Sequence, residues 1–157
     1  MLKKTALLLL VVLMATGACQ AQMKTSADVV KAVPASAEVS GVSGQRVEFT
    51  INLDITKKWH IYAHGDSNFI GVDLVPAETF PLKDLKVDYP AGHEGEFFGE
   101  KVFMIAGKDV IKASALVPED MKAGSYDLDL AVTAQACDDK TCLAPADIPV
   151  AVKLTIE

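Results

Sequence analysis

A chain of 157 residues is long enough for one domain with a substantial core and too short for two large domains. Half of the residues are hydrophobic, which excludes a disordered chain. The 21 Asp and Glu residues outnumber the 15 Lys and Arg residues and give a net charge of -6, so we expect no nucleic-acid partner.

The first 21 residues have the pattern of an export signal, with two early lysines and an unbroken apolar run at 6–15. That run is too short to cross a bilayer as a helix. Cleavage after Ala21 is the favoured interpretation. The alternative is a lipobox over residues 16–19, with lipid attached to Cys19. In both cases the domain is expected to work outside the cytoplasm, and to contact a membrane only if it is lipidated.

The rest of the chain is predicted to be all-β. After an N-terminal extension at 22–35, apolar and polar residues alternate in three segments, as they do in half-buried strands. These strong segments are residues 47–55, 126–134 and 148–156. Weaker strands are predicted at 36–42, 58–63, 72–79, 85–89, 101–106 and 109–117. Only 24–33 and 118–123 have room for a helical turn.

These short strands, separated by turns that contain Gly, Pro and Asp, indicate an antiparallel β-sandwich over residues 36–157. Tyr126 opens one strand after a corner at 116–125. A tyrosine at such a corner either bonds its hydroxyl back to the corner backbone or is an ordinary half-buried residue. The sequence leaves both interpretations open.

Two cysteines remain after the predicted signal, Cys137 and Cys142, separated by four residues between strong strands. A disulfide closing so small a ring stabilises a fold by about 2 kcal/mol at best in the chain-entropy account. A short bridge on a turn opens and closes easily, so the spacing favours a redox-active pair over a structural disulfide. A metal site with His60, His64 or His93 is a third alternative, disfavoured because no histidine lies near the cysteines in sequence.

Three segments together resemble the N-terminal periplasmic domain of the thiol:disulfide interchange protein DsbD, which carries reducing electrons across the inner membrane. Residues 135–145 are similar to the active-site stretch of that domain, residues 59–63 to an early aromatic strand, and residues 96–99 to its cap loop. The resemblance covers essentially the whole predicted domain. It implies an immunoglobulin-like antiparallel β-sandwich that carries a cysteine pair at one end.

The resemblance also implies a periplasmic protein-disulfide reductase type of electron carrier, with no cofactor and no metal. In that family the Cys137–Cys142 pair would receive electrons from a thioredoxin-like domain. It would pass them to thioredoxin-fold proteins such as disulfide isomerases and cytochrome c maturation factors. Carried over by position, Cys142 attacks the disulfide of the partner and Cys137 then resolves the mixed disulfide.

The cap loop carried over from the family consists of Glu96, Phe97, Phe98 and Gly99. Phe97 matches the aromatic residue that shields the cysteine pair, and Glu96 matches an acid beside it. Two adjacent phenylalanines cannot both face inward on a strand, so one is expected to be exposed or to cover something. A loop aromatic folded onto the core is the alternative. Gly95 and Gly99 flank the aromatic pair and are expected to let the loop move.

The chain departs from the family pattern in three respects. The spacer between the cysteines is one residue shorter, and Gly95 stands in place of a second acid. The sequence holds neither an eight-helix membrane domain nor a thioredoxin domain, so a separate membrane thiol-electron transporter is the expected donor. We interpret His60 and His64 as surface residues. The alternative function is an exported immunoglobulin-like binding module with a purely structural Cys137–Cys142 disulfide.

Overall fold

The computed structural model describes residues 23–66 and 69–157. The predicted export signal at 1–21 and the alternative lipidation site Cys19 lie outside these residues. The described part holds one short 3₁₀ turn at Ser26–Asp28 and twelve strands. The strands are β1 (Val30–Pro34), β2 (Glu38–Gly41), β3 (Arg46–Ile55), β4 (His60–Tyr62), β5 (Asp73–Pro76), β6 (Lys83–Asp88), β7 (His93–Phe97), β8 (Glu100–Ala106), β9 (Lys108–Leu116), β10 (Gly124–Ala134), β11 (Ala136–Cys137) and β12 (Ala146–Ile156).

The strands form three sheets of four, which confirms the all-β immunoglobulin-like sandwich. Sheet I has the order β1-β3-β9-β6, sheet II the order β2-β12-β10-β5, and sheet III the order β11-β4-β8-β7. Neighbouring strands run antiparallel within each sheet, except that β12 pairs with β2 in parallel. The longest pairing joins β10 and β12, from Gly124 opposite Ile156 to Ala134 opposite Ala146.

The main core follows directly from the alternating segments of the sequence. In β3 the burial pattern alternates as predicted, with five inward residues from Val47 to Ile55. The inward sides of β9, β10 and β12 supply further aliphatic residues to the same core. Burying one such side chain stabilises a fold by about 1.5–3 kcal/mol, so this continuous core is the main source of stability.

Each of the nine predicted strands overlaps an observed strand, whereas β1, β7 and β11 were not predicted. The segment at 22–35, predicted as an extension outside the sandwich, contributes β1, whose Val30 pairs with Ile55 of β3. Its alternation is short and ends at Pro34, so it gives a weak strand signal. The segment at 118–123 forms a turn rather than a helix, with the Met121 N–H donating to the Pro118 carbonyl at 3.1 Å.

The predicted corner before β10 is confirmed. The Tyr126 hydroxyl donates a hydrogen bond of 2.8 Å to the backbone carbonyl of Lys122. The corner therefore has a side-chain tie as well as its backbone turn.

The two faces of sheet III belong to different parts of the molecule. Ile61, Ile105 and Ala136 point inward and are part of the main core. Tyr62 and Cys137 point to the opposite side, where they form a second, smaller cluster. We call this second side the outer face. Within the described residues, no helix is long and apolar enough to cross a membrane.

Candidate functional site

Cys137 and Cys142 form a disulfide across a narrow turn on the outer face of sheet III. The two residues are opposite each other as an antiparallel bridge, with their Cα atoms 4.0 Å apart. Two backbone hydrogen bonds of 2.9 Å flank them: Leu143 N–H to the Ala136 carbonyl, and Asp138 N–H to the Thr141 carbonyl. The cysteines thus occupy a non-hydrogen-bonded position, where antiparallel strands approach most closely. Their proximity is set by the backbone as well as by the sulfur–sulfur bond.

The side chain of Asp138 shapes the turn between the cysteines. Its Oδ1 accepts hydrogen bonds of 2.9 Å from the backbone N–H groups of Lys140 and Thr141. These two bonds lower the pKa of the Asp138 carboxyl below its ordinary value of 3.8. The carboxylate is therefore a structural acceptor within the turn, as well as one of two adjacent negative charges beside the cysteines.

The two sulfurs have different surroundings. Cys137 is fully buried, whereas Cys142 is partly exposed. Cys137 packs with buried Tyr62, Phe97 and Val102, and the partly buried residues Phe69, Met104 and Cys142 complete this group, which we call the cap cluster. It is separate from the main core. A reagent or a partner protein approaching from solvent therefore meets Cys142 before Cys137.

Phe97 lies at the end of β7, next to the tip of a β-hairpin. Phe98 and Gly99 join β7 to β8 in a two-residue turn, with Phe97 paired to Glu100. The φ angles of Phe98 and Gly99 are 51° and 82°, the pattern of a type I′ turn. The segment predicted as a cap loop is thus the tip of a hairpin. Glu96, in the same segment, is exposed.

The two phenylalanines face different environments, as the sequence required. Phe97 is 5% exposed and its ring packs edge-on against Tyr62 and Phe69, with centroid distances of 6.1 and 5.4 Å. Phe98 is 74% exposed. Phe69 in turn stacks flat on Tyr62 at 4.4 Å. Phe97 and Phe69 therefore cover the outer face of sheet III at the disulfide, and Phe69 was not singled out by the sequence.

The expectation that Gly95 acts as a hinge differs from the observed packing. Gly95 lies within β7 and pairs with Val102 of β8. A Cβ added at Gly95 would collide with the terminal methyl of Met104. Gly95 therefore makes room for the Met104 side chain, and the only glycine of the hairpin turn itself is Gly99.

The interpretation of His60 as a surface residue is wrong, because it is half-buried beside the disulfide. His60 is the cross-strand partner of Cys137. Its ring packs edge-on against Tyr62 and Phe97, with centroid distances of 5.4 and 5.7 Å. The alternation of β4 could have revealed this, since it places His60 and Tyr62 on the side opposite Ile61. His64, by contrast, is exposed, and its ring stacks on that of Tyr89 with the centroids 3.9 Å apart.

Burial governs the titration of two rings in the site. It raises the pKa of Tyr62 to about 12, with a smaller contribution from the charge of Asp66, so the hydroxyl stays protonated at neutral pH. Burial lowers the pKa of His60 below 6.5. The charges of Asp139 and Asp138 oppose that shift and His93 adds to it. The His60 ring is therefore largely neutral at neutral pH.

An open groove of 370 Å³ lies beside the disulfide turn. Its lining includes Trp59, just before β4, and His60, the first residue of β4. His93 and Glu96 of β7 and Asp139 of the disulfide turn also line it. In residues 23–66 and 69–157, no group of three or more His, Cys, Asp or Glu side chains is arranged to hold a metal ion.

A buried serine from the start of the chain joins both ends of the disulfide turn. The Ser26 hydroxyl donates to the Ala144 carbonyl at 2.8 Å and accepts from the Ala136 N–H at 2.9 Å. The Ser26 N–H also donates to the Ala144 carbonyl at 3.0 Å. Sequence reasoning missed this contact, since a serine in a short polar segment carries no signal of burial.

Comparison with known proteins gives one family and one fold. Residues 26–153 match the model of the family described as thiol:disulfide interchange protein DsbD, N-terminal. A search of curated protein sequences finds no significant match. The N-terminal periplasmic domain of ScsB from Proteus mirabilis has a similar structure, with a TM-score of 0.52 and 11% identity. The match covers 80% of this chain and 44% of that one, so this chain spans less than half of the ScsB domain.

Two other solved structures are more distant. A family 123 glycoside hydrolase from Clostridium perfringens has a TM-score of 0.40 at 7% identity, covering 82% of this chain and 28% of that one. The periplasmic chaperone SfaE has a TM-score of 0.35 at 14% identity, covering 82% and 57%. Neither likeness carries weight for function, and the ScsB likeness supports the fold alone.

Proposed function

This chain belongs to the family of N-terminal domains of the thiol:disulfide interchange protein DsbD, and from that premise we propose that its Cys137–Cys142 pair passes reducing equivalents to thioredoxin-fold proteins in the periplasm. The domain would act as a protein-disulfide reductase. Its own electrons would come from a membrane thiol transporter, by way of a thioredoxin-like carrier. Disulfide isomerases and cytochrome c maturation factors are the acceptors that the family suggests.

The observation that carries this proposal is the unequal placement of the two sulfurs outside the main core. Cys142 is partly exposed on a turn, and Cys137 is buried directly behind it. A bridge placed to stabilise the sandwich would join distant strands, whereas this one closes a local ring that the backbone already holds together. The arrangement suits a pair that opens and closes without disturbing the fold.

The geometry supports distinct chemical roles for the two cysteines. In the reduced protein, the Cys142 thiolate would attack a disulfide of the partner, forming a mixed disulfide and releasing the second partner sulfur as a thiolate. Cys137 would then attack the Cys142 sulfur, which restores the internal disulfide and releases the partner in its reduced form. Two electrons pass from the cysteine pair to the partner.

The cap cluster would protect the reduced pair between these encounters. Phe97 and Phe69 pack in the same cluster as the buried Cys137, where they would keep water and small oxidants from its sulfur. For a partner to reach Cys142 fully, the hairpin tip that carries Phe97 would shift aside.

The test is a redox titration of the disulfide combined with an exchange assay. We expect a midpoint potential above about -300 mV and rapid exchange with a reduced thioredoxin-type protein. Double replacement of Cys137 and Cys142 by Ser provides the control that cannot exchange. A midpoint below that value, without exchange, would instead favour an exported binding module with a structural disulfide.

A further inference from the structure

His60 lies directly opposite the buried Cys137 in the pairing of β4 with β11. Side chains opposite each other in an antiparallel pair lie on one face, with Cβ atoms about 4.5–5.5 Å apart. Tyr62 and Phe97 hold the imidazole in position by edge-on ring contacts. The ring is therefore fixed among the residues that enclose the sulfur of Cys137.

The exchange reaction requires a proton acceptor at this position. Cys137 must lose its thiol proton before its sulfur can attack Cys142, since the thiolate is the nucleophile. Cys137 is fully buried in the disulfide form of the domain, so a side chain beside it is better placed than bulk water to accept that proton. The same side chain would return the proton in the reverse reaction.

The other groups around His60 are poorly suited to that task. The Tyr62 hydroxyl, 3.4 Å from His60 Nε2, keeps its proton because its pKa is raised to about 12. Asp138 has a lowered pKa and is already bonded to two backbone N–H groups of its exposed turn. The remaining titratable or charged groups that face His60 or line its groove are His93 and Glu96 of β7, Asp139 of the turn, and Lys58 before β4. All four are exposed at the surface, unlike His60.

We propose that His60 is the general base and acid for Cys137 during thiol–disulfide exchange, an inference that rests on the proposed redox function. In the mixed disulfide, the Cys137 thiol transfers its proton to an imidazole nitrogen of His60. The Cys137 thiolate attacks the Cys142 sulfur, so the Cys137–Cys142 bond forms as the bond from Cys142 to the partner breaks. The partner sulfur leaves with the electron pair as a thiolate and takes up a proton from solvent.

The surroundings of His60 support both of its protonation states. Burial favours the neutral ring that accepts the proton. Once the ring is charged, the carboxylates of Asp138 and Asp139 on the disulfide turn stabilise it. When the pair is reduced again by a donor, the imidazolium can give its proton back to the departing Cys137 thiolate.

The test uses an aromatic disulfide that releases a coloured thiol at each step. Attack by Cys142 releases the first coloured thiol, and attack by Cys137 on the resulting mixed disulfide releases the second. The second phase therefore measures the Cys137 step alone, and its leaving group needs no proton. His60→Phe keeps an aromatic ring against Tyr62 and Phe97 while removing the titrating nitrogens. His64→Phe is the matched control, since His64 stacks on Tyr89.

We expect His60→Phe to slow the second phase by about a hundredfold or more at neutral pH, the scale of general acid–base catalysis. The loss should shrink as the pH rises and Cys137 ionises unaided. The first phase and both phases of His64→Phe should match wild type. His60→Gln, a polar replacement without a titrating nitrogen, should show the same pH-dependent loss. Because Gln and Phe pack differently, agreement between the two variants would show that the loss does not come from altered packing in His60→Phe.

A second phase of His60→Phe that equals wild type at neutral pH would overturn the inference. A loss of equal size at every pH in both variants would also overturn it, since that result indicates a packing role. Because the small disulfide reacts without a partner protein, this measurement tests the role of His60 independently of whether thioredoxin-fold proteins are the natural partners. A failure of wild type to exchange with thioredoxin-type proteins would count against that function alone.

Discussion

Phe97 and Phe98 are consecutive residues, yet Phe97 contacts the buried Tyr62 at the disulfide while Phe98 is 74% exposed. The turn that begins at Phe98 sets this difference, because it ends the alternation of β7 with Phe97 on the outer face. One residue therefore covers the site, and the next presents an aromatic ring to solvent immediately beside it.

Phe97→Ala is expected to expose the cysteine pair. Removal of the ring opens the outer side of the cap cluster, so a small thiol reagent should alkylate the reduced protein faster than it alkylates wild type. Phe98→Ala should change that rate far less, because Phe98 contacts the Phe97 ring at 4.4 Å but is itself 74% exposed and outside the cap cluster. The free energy of unfolding should fall less than in Leu130→Ala, where truncation in the main core costs about 2–5 kcal/mol. An unchanged alkylation rate together with an unfolded variant would make Phe97 a core residue.

Phe98→Asn is expected to stabilise the protein and to weaken partner exchange. A bulky residue at a φ of 51° is strained, and Asn-Gly is the preferred sequence of a type I′ turn. The variant should gain about 1 kcal/mol in denaturant unfolding. Exchange with a thioredoxin-type protein should slow, while reaction with a small disulfide should stay at the wild-type rate. Unchanged exchange with the protein partner would show that the exposed ring makes no contact there.

The two cysteines are expected to behave differently when replaced one at a time. Cys142→Ser should abolish exchange, because the accessible nucleophile is lost. Cys137→Ser should accumulate a mixed disulfide with the partner through Cys142, visible as a covalent adduct on a non-reducing gel. Accumulation of the adduct in Cys142→Ser instead would reverse the two roles. Wild-type exchange in both variants would exclude the redox function.

Asp138→Ala is expected to loosen the disulfide turn. Without the two bonds to backbone N–H groups, the thiols of the reduced protein should meet less often, and the midpoint potential should rise. Asp139→Ala removes the same charge from the same turn and is the matched control. It should shift the potential less. Equal shifts in both variants would assign the effect to charge alone.

The Asp138 carboxylate is also expected to make the free energy of unfolding depend on pH. The folded-state pKa of Asp138 is lowered from 3.8, chiefly by the bonds from Lys140 and Thr141. Its contribution to stability is therefore complete above the pKa of the unfolded chain and is lost as the pH falls through the lower folded value. The difference in unfolding free energy between wild type and Asp138→Ala should vanish in acid. A difference that persists there would contradict this account.

Intact mass spectrometry of the protein purified from cells tests the predicted export and processing. Cleavage after Ala21 gives a chain that begins at Gln22 and carries no lipid, and this is the expected result. A chain that begins at Cys19 with acyl groups would show that the lipobox is used. That outcome would place the domain on a membrane surface without affecting the chemistry of the cysteines.

The fold could be predicted wherever a single stretch of sequence carries its own signal. The strict alternation of β3, β10 and β12 fixes which side of each strand is buried, and that side forms the main core. The corner tyrosine, Tyr126, bonds to a residue only four positions away. By contrast, β1 has a short alternation ended by Pro34, so it acquires its identity by pairing with β3.

The site was predictable in part for the same reason. The spacing of the cysteines and the adjacent phenylalanines are local patterns, and both pointed to features that the structure contains. The position of His60 beside Cys137 could not be predicted in the same way, because it depends on the pairing of β4 with β11. Phe69 reaches the cap cluster by stacking on Tyr62, a contact between separate segments that no periodicity encodes.

The bonds of Ser26 to Ala136 and Ala144 span 110 and 118 positions of the chain. During synthesis the N-terminus of the chain emerges first, so Ser26 is present long before Ala136 and Ala144, to which it bonds. The hydrogen bonds that Ser26 makes to the disulfide turn are thus among the last contacts of the domain to form. Contacts between residues so far apart in sequence also form slowly. The bonds of Ser26 to the disulfide turn therefore form only when the end of the domain reaches its start.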